Sequence, residues 1–141
     1  MTFLKTIAVA ALMTATAGSA IAQEASKLQQ VLDRGYLILG TGSTNPPWHF
    51  IDSDNKLKGF DVDMGRLVAK ALFGDPDKIE YVQQSGDARI PNLVTDKVDL
   101  ACQFMTVTAE RAQQIEFTIP YYREGVGLLQ MEGGDYADYE A

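Results

Sequence analysis

The sequence contains few of the residues that build disulfides and metal sites. Its 141 residues include one cysteine, Cys102, and one histidine, His49. A single cysteine excludes an internal disulfide, and no set of His, Cys and carboxylate residues has the spacing of a metal site. Cys102 is therefore interpreted as a small buried residue, with a reactive thiol as the alternative, and His49 as a surface or core-edge residue. We expect no bound metal and no other cofactor.

The motifs of common catalytic centres are also lacking. The sequence contains no G-x-S-x-G elbow, and no nucleophile stands at a spacing that would pair it with His49. The fragment GTG at residues 40–42 is not followed by a helix that could receive a phosphate group. These absences favour a binding protein over an enzyme.

Positive charge is scarce. The chain has 12 Lys and Arg against 19 Asp and Glu, which gives a net charge of −7. Proteins that bind nucleic acid contact the phosphates with clustered basic side chains, and no such cluster occurs here. Nucleic acid is therefore excluded as a partner.

No apolar run in the sequence reaches the roughly 20 residues that a membrane-spanning helix needs. At the N-terminus, Lys5 precedes a short apolar stretch over residues 6–13, and small residues follow as far as Ala22. This arrangement is typical of a secretory signal peptide, and a membrane anchor is the alternative. We predict a signal peptide over residues 1–22, cleavage between Ala22 and Gln23, and a periplasmic mature protein.

The order of apolar and turn segments predicts an α/β fold. Predicted strands cover residues 36–40, 79–82, 98–102 and 125–130, and residues 48–51 and 57–60 form a predicted hairpin. Predicted helices cover residues 23–31 and 61–73, and two more begin near residues 87 and 108. The predicted caps are Ser26, Asp61, Asp87 and Thr108, and residues 33–35 are predicted to end the first helix. Residues 115–118 are one further predicted element, placed before residues 125–130.

This order indicates a mostly parallel sheet with helices on both faces. Residues 23–130 are assigned to one domain, and residues 131–141, which are rich in acids and contain no base, to a solvated tail. Ligands of such sheets bind at the C-terminal ends of the strands, where residues 41–47 and 103–108 form the predicted loops.

The sequence TVTAER at residues 106–111 has the features of a carboxylate site. Thr108 is the predicted cap of a helix whose first turn contains Arg111. A helix N-terminus favours an anion, and a guanidinium group binds a carboxylate through two parallel hydrogen bonds. The residues alone leave two interpretations, a ligand carboxylate or a surface ion pair between Arg111 and a neighbouring acid.

Five motifs follow one another in a recognisable order: GFDVDM at 59–64, RIPNL at 89–93, KVDL at 97–100, TVTAER at 106–111 and FTIPY at 117–121. Together with PPWHF at 46–50, they resemble the polar amino-acid family of periplasmic solute-binding proteins, over about residues 31–130. The resemblance implies lobe 1 of a type II periplasmic-binding-protein clamshell. It also implies a monomer that closes on an amino acid and delivers it to the permease of an ABC importer.

The resemblance further implies roles for single residues. Arg111 would bind the α-carboxylate of the ligand, together with the hydroxyl of Thr106. Gln103 and Phe104 would line the pocket. Many relatives have an acid and a stacking aromatic residue in the first ligand-binding loop. Here Gly42 and Asn45 stand at the corresponding positions, so a changed ligand preference is expected. Trp48 is interpreted either as an aromatic wall of the pocket or as a buried structural residue.

Members of the family are roughly twice as long and have a second lobe. The resemblance therefore implies an incomplete lobe 1 over residues 23–130, with residues 131–141 as a tail or as the start of the crossing to a second lobe that is absent. In relatives an acid of that lobe binds the α-ammonium group of the ligand. We therefore predict that the chain alone binds amino acids weakly or not at all. The alternatives are an exported dehydratase-like enzyme of the same fold, a periplasmic sensor domain, and a fragment without activity.

Overall fold

The structure is a computed structural model that describes residues 26–127 and 129–134. Its helices are α1 (Lys27–Arg34), α2 (Phe60–Phe73), α3 (Arg89–Val94) and α4 (Ala109–Ala112). Its strands are β1 (Leu37–Thr41), β2 (Thr44–Asn45), β3 (His49–Ile51), β4 (Leu57–Lys58), β5 (Ile79–Gln83) and β6 (Leu100–Ala101). The predicted signal peptide with its cleavage position at Ala22 and Gln23, and residues 135–141 of the predicted tail, lie outside the described residues.

The central sheet is parallel, as predicted. β1 lies between β5 and β6, and Leu37 pairs with Ile79 while Leu39 pairs with Leu100. The side chains of β1 are almost all buried. A strand buried on both faces is expected to read as a continuous apolar run, which is the pattern that predicted it.

Helix α2 covers the central strand closely. A Cβ atom at Gly65 would lie 2.5 Å from a methyl carbon of Leu39, so only glycine permits this approach of helix and strand. Met64, Val68 and Leu72 pack against the buried core cluster that contains Leu39. They belong to the apolar stripe that predicted the helix.

Two predicted helix ends are confirmed at the first helix. The Ser26 hydroxyl accepts a hydrogen bond from the N–H of Gln29 at 3.2 Å, which is the geometry of an N-cap. Gly35 ends α1 in the left-handed conformation, with φ at 82°. The helix runs three residues beyond the predicted end at Val31.

The prediction that Asp61 caps α2 is wrong. The helix begins one residue earlier, at Phe60, and its preceding residue is Gly59, whose φ of 124° suits only glycine. The carboxylate of Asp61 is turned away from the backbone of its own helix and binds another side chain instead. Asp87 is not a cap either, because it lies inside a 3₁₀ turn (Gly86–Ala88) that precedes α3.

Several strands differ from the prediction. Residues 44–45, predicted as part of a loop, add strand β2 to the hairpin and make it a three-stranded antiparallel sheet. β6 is shorter than the predicted strand over 98–102. Residues 115–118 and the described residues between 125 and 130 form no strand. An apolar pattern makes a strand only where a neighbouring strand accepts its hydrogen bonds, and no described strand pairs with these residues.

The two predicted ligand loops are neighbours in space. Residues 42–43 follow β1 and residues 102–108 follow β6, and the two strands are paired and parallel, so both loops leave the same edge of the sheet. None of the described helices has the length and hydropathy of a membrane-spanning segment.

Candidate functional site

The loop after β6 is fixed at its first residue. Gln103 is buried, and its side-chain amide donates a hydrogen bond to the backbone carbonyl of Gln84 at 3.1 Å, beyond the end of β5. The side-chain oxygen of Gln103 has no hydrogen-bond partner in the described part of the chain. A buried amide oxygen without a partner costs free energy.

The structure brings together the three residues of the predicted carboxylate site. The Thr108 hydroxyl caps α4 by accepting the N–H of Arg111 at 3.3 Å, as predicted. A guanidinium nitrogen of Arg111 donates to the backbone carbonyl of Thr106 at 2.8 Å. No described acid forms an ion pair with Arg111, so the alternative of a surface ion pair receives no support from the described residues.

Phe104, in the loop after β6, has an unusual backbone conformation. Its φ is 31°, a region that non-glycine residues rarely occupy. Its ring stacks on the His49 ring, with the centroids 4.7 Å apart and the planes 16° from parallel. The stack joins the loop after β6 to the hairpin.

Trp48 is the centre of an aromatic cluster. It makes edge contacts with Phe60, Phe104 and Tyr122, at centroid distances of 5.6, 6.4 and 4.5 Å. The cluster borders a cavity of about 610 Å³ between residues 104–107 and 117–124. Trp48, Phe104 and Thr106 line this cavity, whereas Asn45, Gln103 and Arg111 do not. Arg111 therefore lies outside the cavity that the aromatic residues line, and Thr106 contacts both.

Asn45 occupies an exposed position on β2, opposite His49 in the hairpin. Its backbone carbonyl accepts a hydrogen bond from the N–H of Trp48 at 2.9 Å. The role of its side chain in ligand binding stays a prediction.

Sequence reasoning missed a buried pair that supports the site. His49 and Asp61 are each 1% exposed, and the His49 Nδ1 lies 2.7 Å from an Asp61 carboxylate oxygen. The interpretation of His49 as a surface or core-edge residue is therefore wrong. Phe104 covers the ring of this histidine, so the pair fixes one aromatic wall of the cavity.

The position of the His49 ring explains why residue 42, in the loop after β1, is glycine. A Cβ atom at Gly42 would lie 2.5 Å from the His49 Nε2, far inside contact distance. No side chain fits at position 42 while His49 occupies this place, and an acid at this position is excluded for the same reason.

Cys102 is buried, in agreement with the prediction of a small core residue. Burial raises the pKa of its thiol to about 11, so the thiol stays protonated at neutral pH. The described residues contain no group of three or more His, Cys, Asp or Glu that could hold a metal ion.

Comparison with known proteins identifies the family. The profile of the bacterial extracellular solute-binding proteins, family 3, matches residues 37–136. The chain belongs to this family. It is 33% identical over 109 residues to a glutamine-binding protein of Geobacillus stearothermophilus, covering 72% of this chain and 39% of that protein. It is also 33% identical to the octopine-binding periplasmic protein of Rhizobium meliloti, covering 96% of this chain and 41% of that protein.

Solved structures of the family share the fold. The cysteine-binding protein from Campylobacter jejuni is 30% identical, with a TM-score of 0.65 over 66% of this chain and 38% of that one. The arginine-bound form of domain 1 from TmArgBP, of T. maritima, is 34% identical, with a TM-score of 0.62 over 66% of this chain and 71% of that domain. The prediction of one α/β lobe of a periplasmic binding protein is thereby confirmed. The chain spans about two fifths of the length of these curated relatives.

Proposed function

We propose that this chain binds a free amino acid outside the cytoplasm and serves an ABC importer. Relatives carry names of this kind, among them an ABC transporter arginine-binding protein of Escherichia coli that is 30% identical over 90 residues. The proposed partners are the amino acid and the permease of the importer in the inner membrane, and the proposed oligomeric state is a monomer. The proposed periplasmic location depends on the signal peptide over residues 1–22.

One observation carries the proposal, the Arg111 guanidinium that no described acid neutralises. It is held against the loop after β6 by the carbonyl of Thr106, and Thr108 orients the turn that carries it. A fork of N–H donors in a fixed position suits a ligand carboxylate, which accepts two parallel hydrogen bonds. The Thr106 hydroxyl is proposed to assist, and Gln103, whose buried side chain binds the carbonyl of Gln84, is proposed to hold the loop that lines the pocket.

The aromatic residues are proposed to shape the rest of the pocket. Phe104 and Trp48 line the cavity beside Thr106 and present apolar ring surfaces to it. Gly42 and Asn45 supply neither the acid nor the aromatic ring that many relatives have in the first loop. The pocket therefore selects its ligand with different groups from those relatives.

We infer binding without catalysis. One similar solved structure is an ancestral amino-acid-binding protein, a precursor of cyclohexadienyl dehydratase, with 37% identity and a TM-score of 0.64. Proton transfer would need an acid or base that touches the substrate. The His49–Asp61 pair has the required chemistry, but each side chain is only 1% exposed. Phe104 covers the His49 ring, and the Asp61 carboxylate, although it borders the cavity, is bound to His49.

We predict that the chain binds L-amino acids with a Kd of about 1 mM, which corresponds to about −4 kcal/mol. Affinity is low because Thr106 and the turn around it are exposed, and water weakens hydrogen bonds at an open site. Isothermal titration calorimetry with the twenty amino acids and their methyl esters tests this. The esters lack the free carboxylate and are expected to give no heat of binding.

Two results would contradict this prediction. Equal binding of an amino acid and its ester would place the carboxylate away from Arg111. Micromolar binding would show that the described lobe encloses its ligand far better than its exposure indicates.

A further inference from the structure

A second arginine lies at the same edge of the sheet. Arg89 is the first residue of α3, and its guanidinium group is half-buried between the loops that follow β5 and β6. Its Nε donates to the carbonyl of Gly86 at 2.7 Å, and its Nη1 donates to the carbonyl of Gln103 at 2.9 Å. These two hydrogen bonds hold the guanidinium group in a fixed orientation.

Arg89 and Arg111 are attached to one loop. Arg89 binds the carbonyl of Gln103, and Arg111 binds the carbonyl of Thr106. Three residues of chain span at most about 10 Å, so the two anchoring carbonyls are close together. The pKa of Arg89 is lowered, first by burial and then by the positive charge of Arg111, which agrees with their closeness; Asp87 opposes this effect.

Neither arginine has an ion-pair partner among the described residues, although other cations of the chain do. Lys27, Arg34, Lys58 and Arg66 each pair with an aspartate. The chain has 19 acids against 12 basic residues, so acids are not scarce. Two positive charges anchored on one loop repel each other, and an anion bound to both guanidinium groups would relieve the repulsion.

We propose that Arg89 and Arg111 together select a ligand with two carboxylates, that is, an acidic amino acid. Arg111 binds the α-carboxylate of the ligand, and Arg89 binds its second carboxylate. Gln103, whose carbonyl Arg89 binds, fixes the loop between the two arginines through the hydrogen bond from its side-chain amide to Gln84. This assignment rests on the proposed function and adds the class of ligand to it.

Nuclear magnetic resonance of the labelled chain tests the assignment, because it detects binding at millimolar Kd. The Nε–H signals of both arginines are followed while L-glutamate or L-glutamine is added. The two ligands differ in one group, a carboxylate against a neutral amide of the same size. We expect the Arg111 signal to move with both ligands, the Arg89 signal to move with glutamate only, and glutamate to bind at least about tenfold more tightly.

Substitutions separate a specific contact from general attraction of anions. Arg89→Gln is expected to remove the preference for glutamate while the Arg111 signal still responds to both ligands. The control Arg66→Gln removes the same charge from the exposed Arg66–Asp77 pair and is expected to keep the preference. Arg89→Lys retains the charge without the fork, and an intermediate preference is expected; it replaces Arg89→Gln if that variant does not fold.

The outcomes also separate this proposal from the proposed function. A wild-type chain that responds at Arg111 but binds glutamate and glutamine equally overturns the role of Arg89 alone. An equal loss of preference in Arg66→Gln overturns it as well, because general electrostatics then explains the result. Absence of any response at Arg111 to either ligand overturns the proposed function together with this inference.

Discussion

Replacing Asp61 with alanine is expected to lower the free energy of unfolding by about 3 kcal/mol, because it breaks a buried pair and leaves one partner behind. His49 is 1% exposed, and its Nε2 already has no hydrogen-bond partner among the described residues. Without Asp61, its Nδ1 would lose its partner as well. A buried ring with both nitrogens unsatisfied is costly, and the removed carboxylate also leaves a gap. Urea denaturation followed by the fluorescence of Trp48, the only tryptophan, measures the change.

Asp63 provides the matched control. It lies in the same first turn of α2 but is exposed, so Asp63→Ala removes a favourable charge near a helix N-terminus and little else. We expect it to cost less than about 1 kcal/mol. Similar effects of the two substitutions would mean that Asp61 acts through the helix terminus and that the contact with His49 contributes little. A double-mutant cycle with His49→Ala then gives the coupling energy of the pair.

Replacing Arg111 with lysine is expected to weaken amino-acid binding at least about tenfold, which corresponds to about 1.4 kcal/mol. Lysine keeps the positive charge but offers a single ammonium group in place of a planar fork. It also loses the geometry with which Arg111 binds the carbonyl of Thr106. Arg111→Met, which removes the charge, is expected to abolish measurable binding. Titration followed by nuclear magnetic resonance gives the Kd of each variant.

The control for Arg111 is Arg66→Lys, at an exposed arginine of α2 that pairs with Asp77. This variant is expected to bind as the unaltered chain does. The free energy of unfolding of Arg111→Lys is expected to change by less than about 1 kcal/mol, since α4 is short and exposed. An Arg111→Lys chain that binds an amino acid with unchanged affinity would place the carboxylate elsewhere.

Much of the fold could be predicted because its signals are local. The apolar run of β1 and the stripe of α2 follow from side-chain periodicity, and Ser26, Gly35 and Thr108 act through their own or neighbouring backbone groups. The motifs shared with the family predicted how these helices and strands are arranged in the lobe. These features depend on residues within a few positions of one another, so one sequence contains them in full.

The contacts that were missed join residues far apart in the chain. An aspartate at the start of a helix pattern looks the same whether it caps its own helix or binds a histidine twelve positions away, as Asp61 does. His49 was missed for a related reason: its burial depends on the position of α2 beside the hairpin, and no local pattern shows that. The space for His49 in turn requires glycine at position 42.

The sequence also could not show that the predicted site residues do not all line one cavity. Trp48, Phe104, Thr106 and Arg111 were predicted as one pocket, but the first three line a cavity that Arg111 does not reach. Residues 117–124 form the far side of this cavity without belonging to a helix or strand. Since periodicity predicts only helices and strands, the course of this segment could not be derived from it.

A crystal structure of the chain grown with a saturating L-amino acid tests the central claim most directly, because it shows where the carboxylate binds. We predict both carboxylate oxygens within hydrogen-bond distance of the Arg111 guanidinium group, beside Thr106. A ligand seated instead in the cavity between Trp48 and Tyr122, with no contact to Arg111, would contradict this claim.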